Sequence, residues 1–167
     1  MNPDPRKLFS SIVEDNKQRI MRICRAYSQN TEDQKDLFQD VALNIWKSLP
    51  SFRQEAKYDT WVYRICLNVC MQYAMKLNKT KQVRVNIEGI EITDDHADLQ
   101  NNLDDADKYK KLYACISSLN EAEKSLILLF LEDLSYKEIS EIIGITENHV
   151  AVKLNRIKKK LFNCFNN

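Results

Sequence analysis

The chain has 167 residues, a formal net charge of +1, 44% hydrophobic and 29% charged side chains, five cysteines, two glycines and three prolines. So few helix breakers among so many helix formers point to an all-α protein of one or two small domains. Phosphate-binding glycine loops are excluded, since Gly89 and Gly144 stand alone and such loops need several glycines in a short span.

The opening run MNPDPRK has no apolar stretch behind its charges, so no secretory signal is expected. Leu8, Phe9, Ile12, Val13, Ile20, Ile23, Cys24 and Tyr27 recur at helical spacing and predict one amphipathic helix over 5–28. QNTEDQ supplies the next start, with Thr31 as N-cap and Gln34 completing a capping box three residues on. Leu37, Phe38, Val41, Ile45, Trp46 and Leu49 form that helix's apolar stripe, and Pro50 ends it. After the polar turn SFRQEAKYD, Asp59 is the expected cap of a third helix over roughly 60–78. Val62, Ile65, Cys66, Val69 and Tyr73 are its expected inward positions. Three such helices make one small bundle, residues 1–80.

From Lys79 the periodicity fails. NIEGIEITDDHADLQNNLDDAD is acidic and poor in large apolar side chains, so residues 81–107 read as a flexible acidic linker, with transient helix near its end. Extended structure in VRVNIEGIEI would lack a partner, and Asp94, Asp95 and Asp98 are expected to be solvated. Regular helix resumes in a second domain, residues 108–167, at KYKKLYACISSL. Asn120 with Glu123, and Ser135 with Glu138, predict two capping boxes. Between them lies LILLFL, the longest apolar run, far short of the roughly 20 residues that cross a bilayer. Gly144 makes the next turn, Thr146 caps the last helix, and Val150, Leu154, Ile157 and Leu161 line its inner face.

Charge is uneven along this plan. Residues 1–80 hold 13 basic and 9 acidic side chains, residues 81–110 hold 4 and 8, and residues 144–167 hold 5 and 1. Two basic regions separated by an acidic strip suggest two anion-binding surfaces on a tether. The odd number of cysteines rules out a complete set of internal disulfides, and all five are read as reduced, cytoplasmic thiols. Cys66 and Cys70 share a helix face but would need two more metal ligands, and neither His96 nor His149 has a recognisable spacing to them. Core packing is the stronger reading of that pair.

Three stretches carry candidate chemistry. Residues 135–161 form a helix-turn-helix with small Ser140 at the close approach. Glu147, Asn148, His149, Lys153, Asn155 and Arg156 fall on its outward positions, and Lys158, Lys159 and Lys160 add charge for phosphates. A solvated basic helix is the plain alternative, but caps, turn glycine and charge polarity together favour DNA. In FRQEAKYDTWVYRICLN, Phe52, Tyr58, Trp61 and Tyr63 alternate with Arg53, Lys57 and Arg64, as stacking of single-stranded bases requires. From composition alone, filling the core is the stronger reading of those rings. In DLFQDVALNIWKSL, Asp36, Gln39, Asp40 and Asn44 lie opposite much of the apolar stripe and offer a docking face, or simply a solvated one.

In this order, DLFQDVALNIWKSLPSF, YDTWVYRICLN and LNEAEKSLILLFLEDLSYKEISEIIGITENHVAVKLNRIKKKL resemble the extracytoplasmic-function (ECF) sigma factors of the sigma-70 family. The resemblance implies a cytoplasmic, non-catalytic initiation subunit of bacterial RNA polymerase, with a sigma2-like bundle and a sigma4-like helix-turn-helix joined by the linker. It assigns Asp36, Leu37, Gln39, Asp40 and Trp46 to the clamp helices of the largest polymerase subunit. Arg53, Thr60, Trp61, Tyr63, Arg64 and Asn68 would capture the −10 element as single strand, with CMQYAMK where the −10 specificity loop lies. The helix-turn-helix would read the −35 duplex and touch the polymerase flap. The partners implied are core polymerase, promoter DNA and an anti-sigma factor, of a kind that can be membrane-anchored, binding across both domains.

The sequence departs from the family at His149, where Thr is frequent, at Lys153, where Arg is frequent, and in LEDLSY, which lacks a glycine. The first two bear on which −35 sequence is read; the third is expected to lengthen the preceding helix. An autonomous helix-turn-helix regulator is the rival, although no heptad dimerisation helix accompanies it. An enzyme is the third reading, but no catalytic residues, metal, cofactor or small-molecule substrate can be named.

Overall fold

In the computed structural model, residues 3–55, 57–84 and 103–167 are described. Their regular structure is helical: α1 (Pro5–Tyr27), α2 (Thr31–Ser48), α3 (Tyr58–Arg84), α4 (Leu103–Ser117), α5 (Glu121–Leu131), α6 (Tyr136–Ile143) and α7 (Glu147–Asn166), with a 3-10 turn at Leu49–Ser51. The chain divides into two compact units, Met1–Asp95 and His96–Asn167. None of the described helices is long and apolar enough to cross a membrane.

In the first unit α1, α2 and α3 pack against one another. Pro5 opens α1 where its missing N–H costs nothing, and Asp4 caps it by accepting from the Arg6 N–H at 3.0 Å. The core is made by Ile12, Ile20, Ile23 and Cys24 of α1, Leu37, Val41 and Ile45 of α2, and Val62, Tyr63, Cys66, Leu67 and Cys70 of α3. Two expected caps are displaced. Asn30, not Thr31, caps α2, its side chain accepting from the Asp33 N–H at 2.8 Å from an extended backbone. Gln34 therefore completes no capping box; its amide donates to the Met21 carbonyl at 2.9 Å and ties α2 to α1. Asp59 sits inside the first turn of α3, because the Trp61 N–H already donates to the Lys57 carbonyl, and it pairs with Arg19 at 3.3 Å. Midway along this helix, the Tyr73 hydroxyl donates to Asp33 at 3.1 Å. Partial burial, and then the Asp33 carboxylate, push that phenol well above its ordinary pKa.

α3 runs to Arg84 and α4 begins at Leu103, so both ends of the expected linker are regular helix. Its middle, including Asp94, Asp95 and Asp98 and most of VRVNIEGIEI, lies outside the described residues.

In the second unit α5 is the central element, with Leu126, Ile127, Leu128 and Leu129 all buried. Ile116, Leu119, Ile139, Ile142, Val150, Leu154 and Ile157 close the core around it. Asn120 and Glu123 form the expected capping box, at 2.9 and 3.3 Å. The missing glycine in LEDLSY does not lengthen α5, which ends at Leu131. Asp133 instead adopts the left-handed conformation, φ 60, that a glycine would take there.

Cys115 of α4 is bonded to Cys164 near the end of α7, across 49 residues of sequence. The expectation of five reduced thiols therefore fails for this pair: an odd count excludes complete pairing but not one bond. Beside it, the Lys111 ammonium lies 5.2 Å from the centre of the Phe165 ring.

Candidate nucleic-acid interfaces

The turn between α6 and α7 is fixed from both sides. Ser135 Oγ accepts from the Glu138 N–H at 3.1 Å, while the Ser135 N–H donates to Glu138 Oε2 at 2.8 Å. Gly144 ends α6 at φ 83, a conformation in which any side chain would be strained, and its N–H donates to the Ser140 carbonyl at 2.8 Å. Thr146 then caps α7, accepting from the His149 N–H at 3.2 Å. Caps and glycine together set the angle at which α7 leaves the turn, which a groove-reading helix needs.

Val150, Leu154 and Ile157 hold α7 on the core, each fully buried and each contributing roughly 1.5–3 kcal/mol. Leu161 is only half-buried. Glu147, Asn148, His149, Lys153, Asn155 and Arg156 are all exposed, as their spacing predicts. Val152 was missed. It is 49% exposed and shares the outward face with Asn148, Asn155 and Arg156, where an apolar side chain suits a thymine methyl. The signal was available: an apolar residue interrupting a polar face at helical spacing.

The three basic residues after it divide. Lys158 Nζ lies 3.9 Å from the centre of the Phe130 ring, and Lys160 donates to Glu123 and holds that carboxyl below its ordinary pKa. Both serve the unit's own packing, which leaves exposed Lys159 as the outward-turned cation of the three.

In the first unit the aromatic stretch is a cluster. Phe52 stacks on Tyr58 at 4.6 Å and meets Trp61 at 4.8 Å, with Tyr58 and Trp61 6.5 Å apart. The chain reaches it through Gln54, whose φ of 57 reverses the backbone after the 3-10 turn. All three rings are half-buried, so each keeps a surface toward solvent. Arg53, Arg64 and Asn68 are exposed and Thr60 is half-buried. Tyr63 is not part of this surface: at 3% exposure it points with Val62, Cys66 and Leu67 into the bundle. A base could stack on Trp61 but not on Tyr63 without unpacking the core.

On α2, Asp36, Gln39 and Asp40 are exposed, and the Asn44 amide donates to the Asp40 carbonyl at 2.8 Å. Trp46 is exposed too, resting edge-on against Phe9 with ring centres 5.3 Å apart. Leu37, at 2% exposure, is core and supports the helix from beneath. Exposed Leu43 went unnoticed because it belongs to neither the apolar stripe nor the polar motif. Leu43 and Trp46 bordered by carboxylates make an apolar patch with a polar rim, the composition of a protein-docking surface rather than of a nucleic-acid one.

Known proteins fall on the same two units. The family profile for sigma-70 region 2 matches residues 12–80, and that for sigma-70 region 4 matches residues 109–161. The chain is 23% identical over 161 residues to the ECF RNA polymerase sigma factor SigW of Bacillus subtilis, covering 92% of this chain and 86% of that one. It is 24% identical over 166 residues to the ECF RNA polymerase sigma-E factor of Haemophilus influenzae, covering 95% and 87%. Among solved structures, its fold is similar to the sigma factor RpoE of Bartonella quintana in complex with the anti-sigma factor NepR. The TM-score is 0.75 at 18% identity, over 96% of this chain and 98% of that one.

Proposed function

The chain belongs to the ECF group of the sigma-70 family, and from that premise we propose how its two helical units divide the work of a promoter-selecting subunit of RNA polymerase. One observation carries the proposal: each family region coincides with a unit whose exposed face has the chemistry for one form of DNA.

The first unit takes the −10 element as single strand. Trp61, braced by Phe52 and Tyr58, offers a ring face on which an unpaired base stacks, and Arg53 and Arg64 neutralise the backbone beside it. Thr60 and Asn68 supply hydrogen bonds along the same helix. The second unit reads the −35 element as duplex through Asn148, His149, Val152, Lys153, Asn155 and Arg156, with Glu147 at the entry of the helix. His149 replaces the family's frequent Thr in the first turn of the reading helix, so the preferred −35 sequence is this chain's own. Reaction chemistry is left to the polymerase.

Core polymerase docks through its largest-subunit clamp helices on Asp36, Gln39, Asp40, Leu43 and Trp46, and its flap meets the second unit. The partners are thus cytoplasmic, and an anti-sigma factor restrains the protein when its promoters are silent. Two proteins of similar fold were solved with a partner bound: the sigma factor RpoE with the anti-sigma factor NepR, and CnrH with the cytosolic domain of CnrY.

The test is transcription from a genomic library by core polymerase with and without the chain. Initiation at a defined set of promoters that core alone ignores is the expected result. Absence of promoter-specific initiation, together with tight binding of promoter duplex by the free chain, would favour the autonomous regulator instead.

A further inference from the structure

Three cysteines meet inside the first unit. Cys24 of α1 and Cys66 and Cys70 of α3 are fully buried, and their sulfur atoms all lie within 4.8 Å of one another. Cys66 and Cys70 are one helical turn apart on the inward face of α3, and α1 brings Cys24 against them. Each cysteine packs as a small apolar side chain would, and together they also bring three sulfur donors to one point. The surfaces assigned to DNA and polymerase lie on other faces, so this cluster is independent of the promoter reading.

We propose that Cys24, Cys66 and Cys70 form a buried site for a thiophilic centre that takes three sulfur ligands and no fourth, with a trivalent metalloid such as arsenic(III) the best match. Donor type sets the class: three sulfurs with no histidine or carboxylate in the group select a soft centre. Donor number narrows it, because a structural zinc site takes four ligands and no fourth is grouped here among the described residues. Geometry permits it: three sulfurs bonded at roughly 2.3 Å to one centre stand about 3.5–4 Å apart, so the side chains need to close by less than about 1.5 Å.

Charge then chooses among soft centres. Arsenite enters as neutral As(OH)3. Three As–O bonds break, three As–S bonds form, the thiol protons leave with the hydroxyls as three waters, and no electrons move. The product is neutral and burdens the apolar core with no charge, whereas copper(I) or zinc(II) held by three thiolates would be anionic. Bound arsenic would clamp α1 to α3 and stabilise the first unit by mass action.

The experiment uses the full chain under anaerobic, reductant-free conditions, with the Cys115–Cys164 bond intact so that these three thiols alone are available. Arsenite is titrated and followed by native mass and by ultraviolet sulfur–arsenic absorption, with copper(I) and zinc(II) in parallel. We expect one arsenic per chain with loss of three waters, at least tenfold tighter than zinc. Alkylation of these buried thiols, which requires opening of the first unit, should run slowly without arsenite and slow further with it, mapped by mass. Cys70→Ala, with its fold checked by circular dichroism, should lose at least tenfold in arsenite affinity. The proposal is overturned if no arsenic is retained, if zinc binds as tightly, or if the three cysteines are alkylated equally fast with and without arsenite. The alkylation arm needs no variant, so a misfolded Cys70→Ala would not rescue the idea.

Discussion

The two candidate DNA-binding helices solve opposite problems. On α7 the reading face and the packing face are cleanly separated: Val150, Leu154 and Ile157 are buried, while all six predicted contact residues are exposed. On α3 they interpenetrate. Trp61 is half in the aromatic cluster and half out, and Tyr63 lies wholly within the core. A helix that enters a groove acts as a rigid rod with its polar side outward, so any side chain there can change without harm to the fold. A surface that stacks single-stranded bases needs large rings, and large rings stay fixed only by sharing the core. Binding specificity should therefore be freer to vary on α7 than on α3.

The strongest way to break this comparison is to attack the buried side of α7. Leu154→Ala should cost the second unit about 2–5 kcal/mol and abolish duplex reading while every contact residue remains present. Calorimetry should place that loss in one transition and leave the first unit's unchanged. Next in size is the Cys115–Cys164 bond. Reducing it, or Cys164→Ser, should lower the second unit's stability by about 2–4 kcal/mol, measured by denaturant unfolding with and without reductant. An unchanged midpoint would show that α7 is held by its apolar face alone.

A smaller effect sharpens the contrast at the turn before the helix-turn-helix. Asp133→Gly should stabilise the second unit by up to about 1 kcal/mol, since φ 60 costs Asp more than Gly. The smallest concerns Glu123, whose carboxyl Lys160 holds below its ordinary pKa of 4.5. A depressed folded-state pKa gives stability that is present above the unfolded value and lost as pH falls through the folded one. Acid titration below about 4.5 should therefore erode the second unit, and Lys160→Ala should flatten that dependence.

What the sequence revealed follows the same contrast. Local rules were legible: Asn120, Ser135, Thr146 and Gly144 all act as their types and spacings predict. The outward face of α7 was legible because 3.6-residue periodicity assigns faces well when polar and apolar residues separate. On α3 inward and outward sides both carry aromatics. Composition favoured the core for these rings, which holds for Tyr63, and only the resemblance gave Tyr63 a place on the single strand. Leu37 is buried as its place in the apolar stripe predicts. The resemblance also named it for the polymerase, and a motif inherited that way does not say which of its residues face the partner. Caps at Thr31 and Asp59 were each misplaced by a residue or two, since Asn30 already caps α2 and the Trp61 N–H already donates to the Lys57 carbonyl. That frees Gln34 for the Met21 carbonyl and Asp59 for Arg19, on another helix. The meeting of Cys24 with Cys66 and Cys70, and the bond from Cys115 to Cys164, are tertiary facts that no local spacing encodes.

The division of labour between the units is tested most directly by binding of reconstituted holoenzyme to two probes, a single-stranded −10 oligonucleotide and a −35 duplex. Trp61→Phe and Trp61→Ala should bind the −35 duplex normally, and Trp61→Ala should lose about 1–3 kcal/mol on the single strand. Arg156→Ala should do the reverse, weakening the duplex and sparing the single strand. Loss of both probes in any of these variants, or the opposite pairing of defects, would contradict the account.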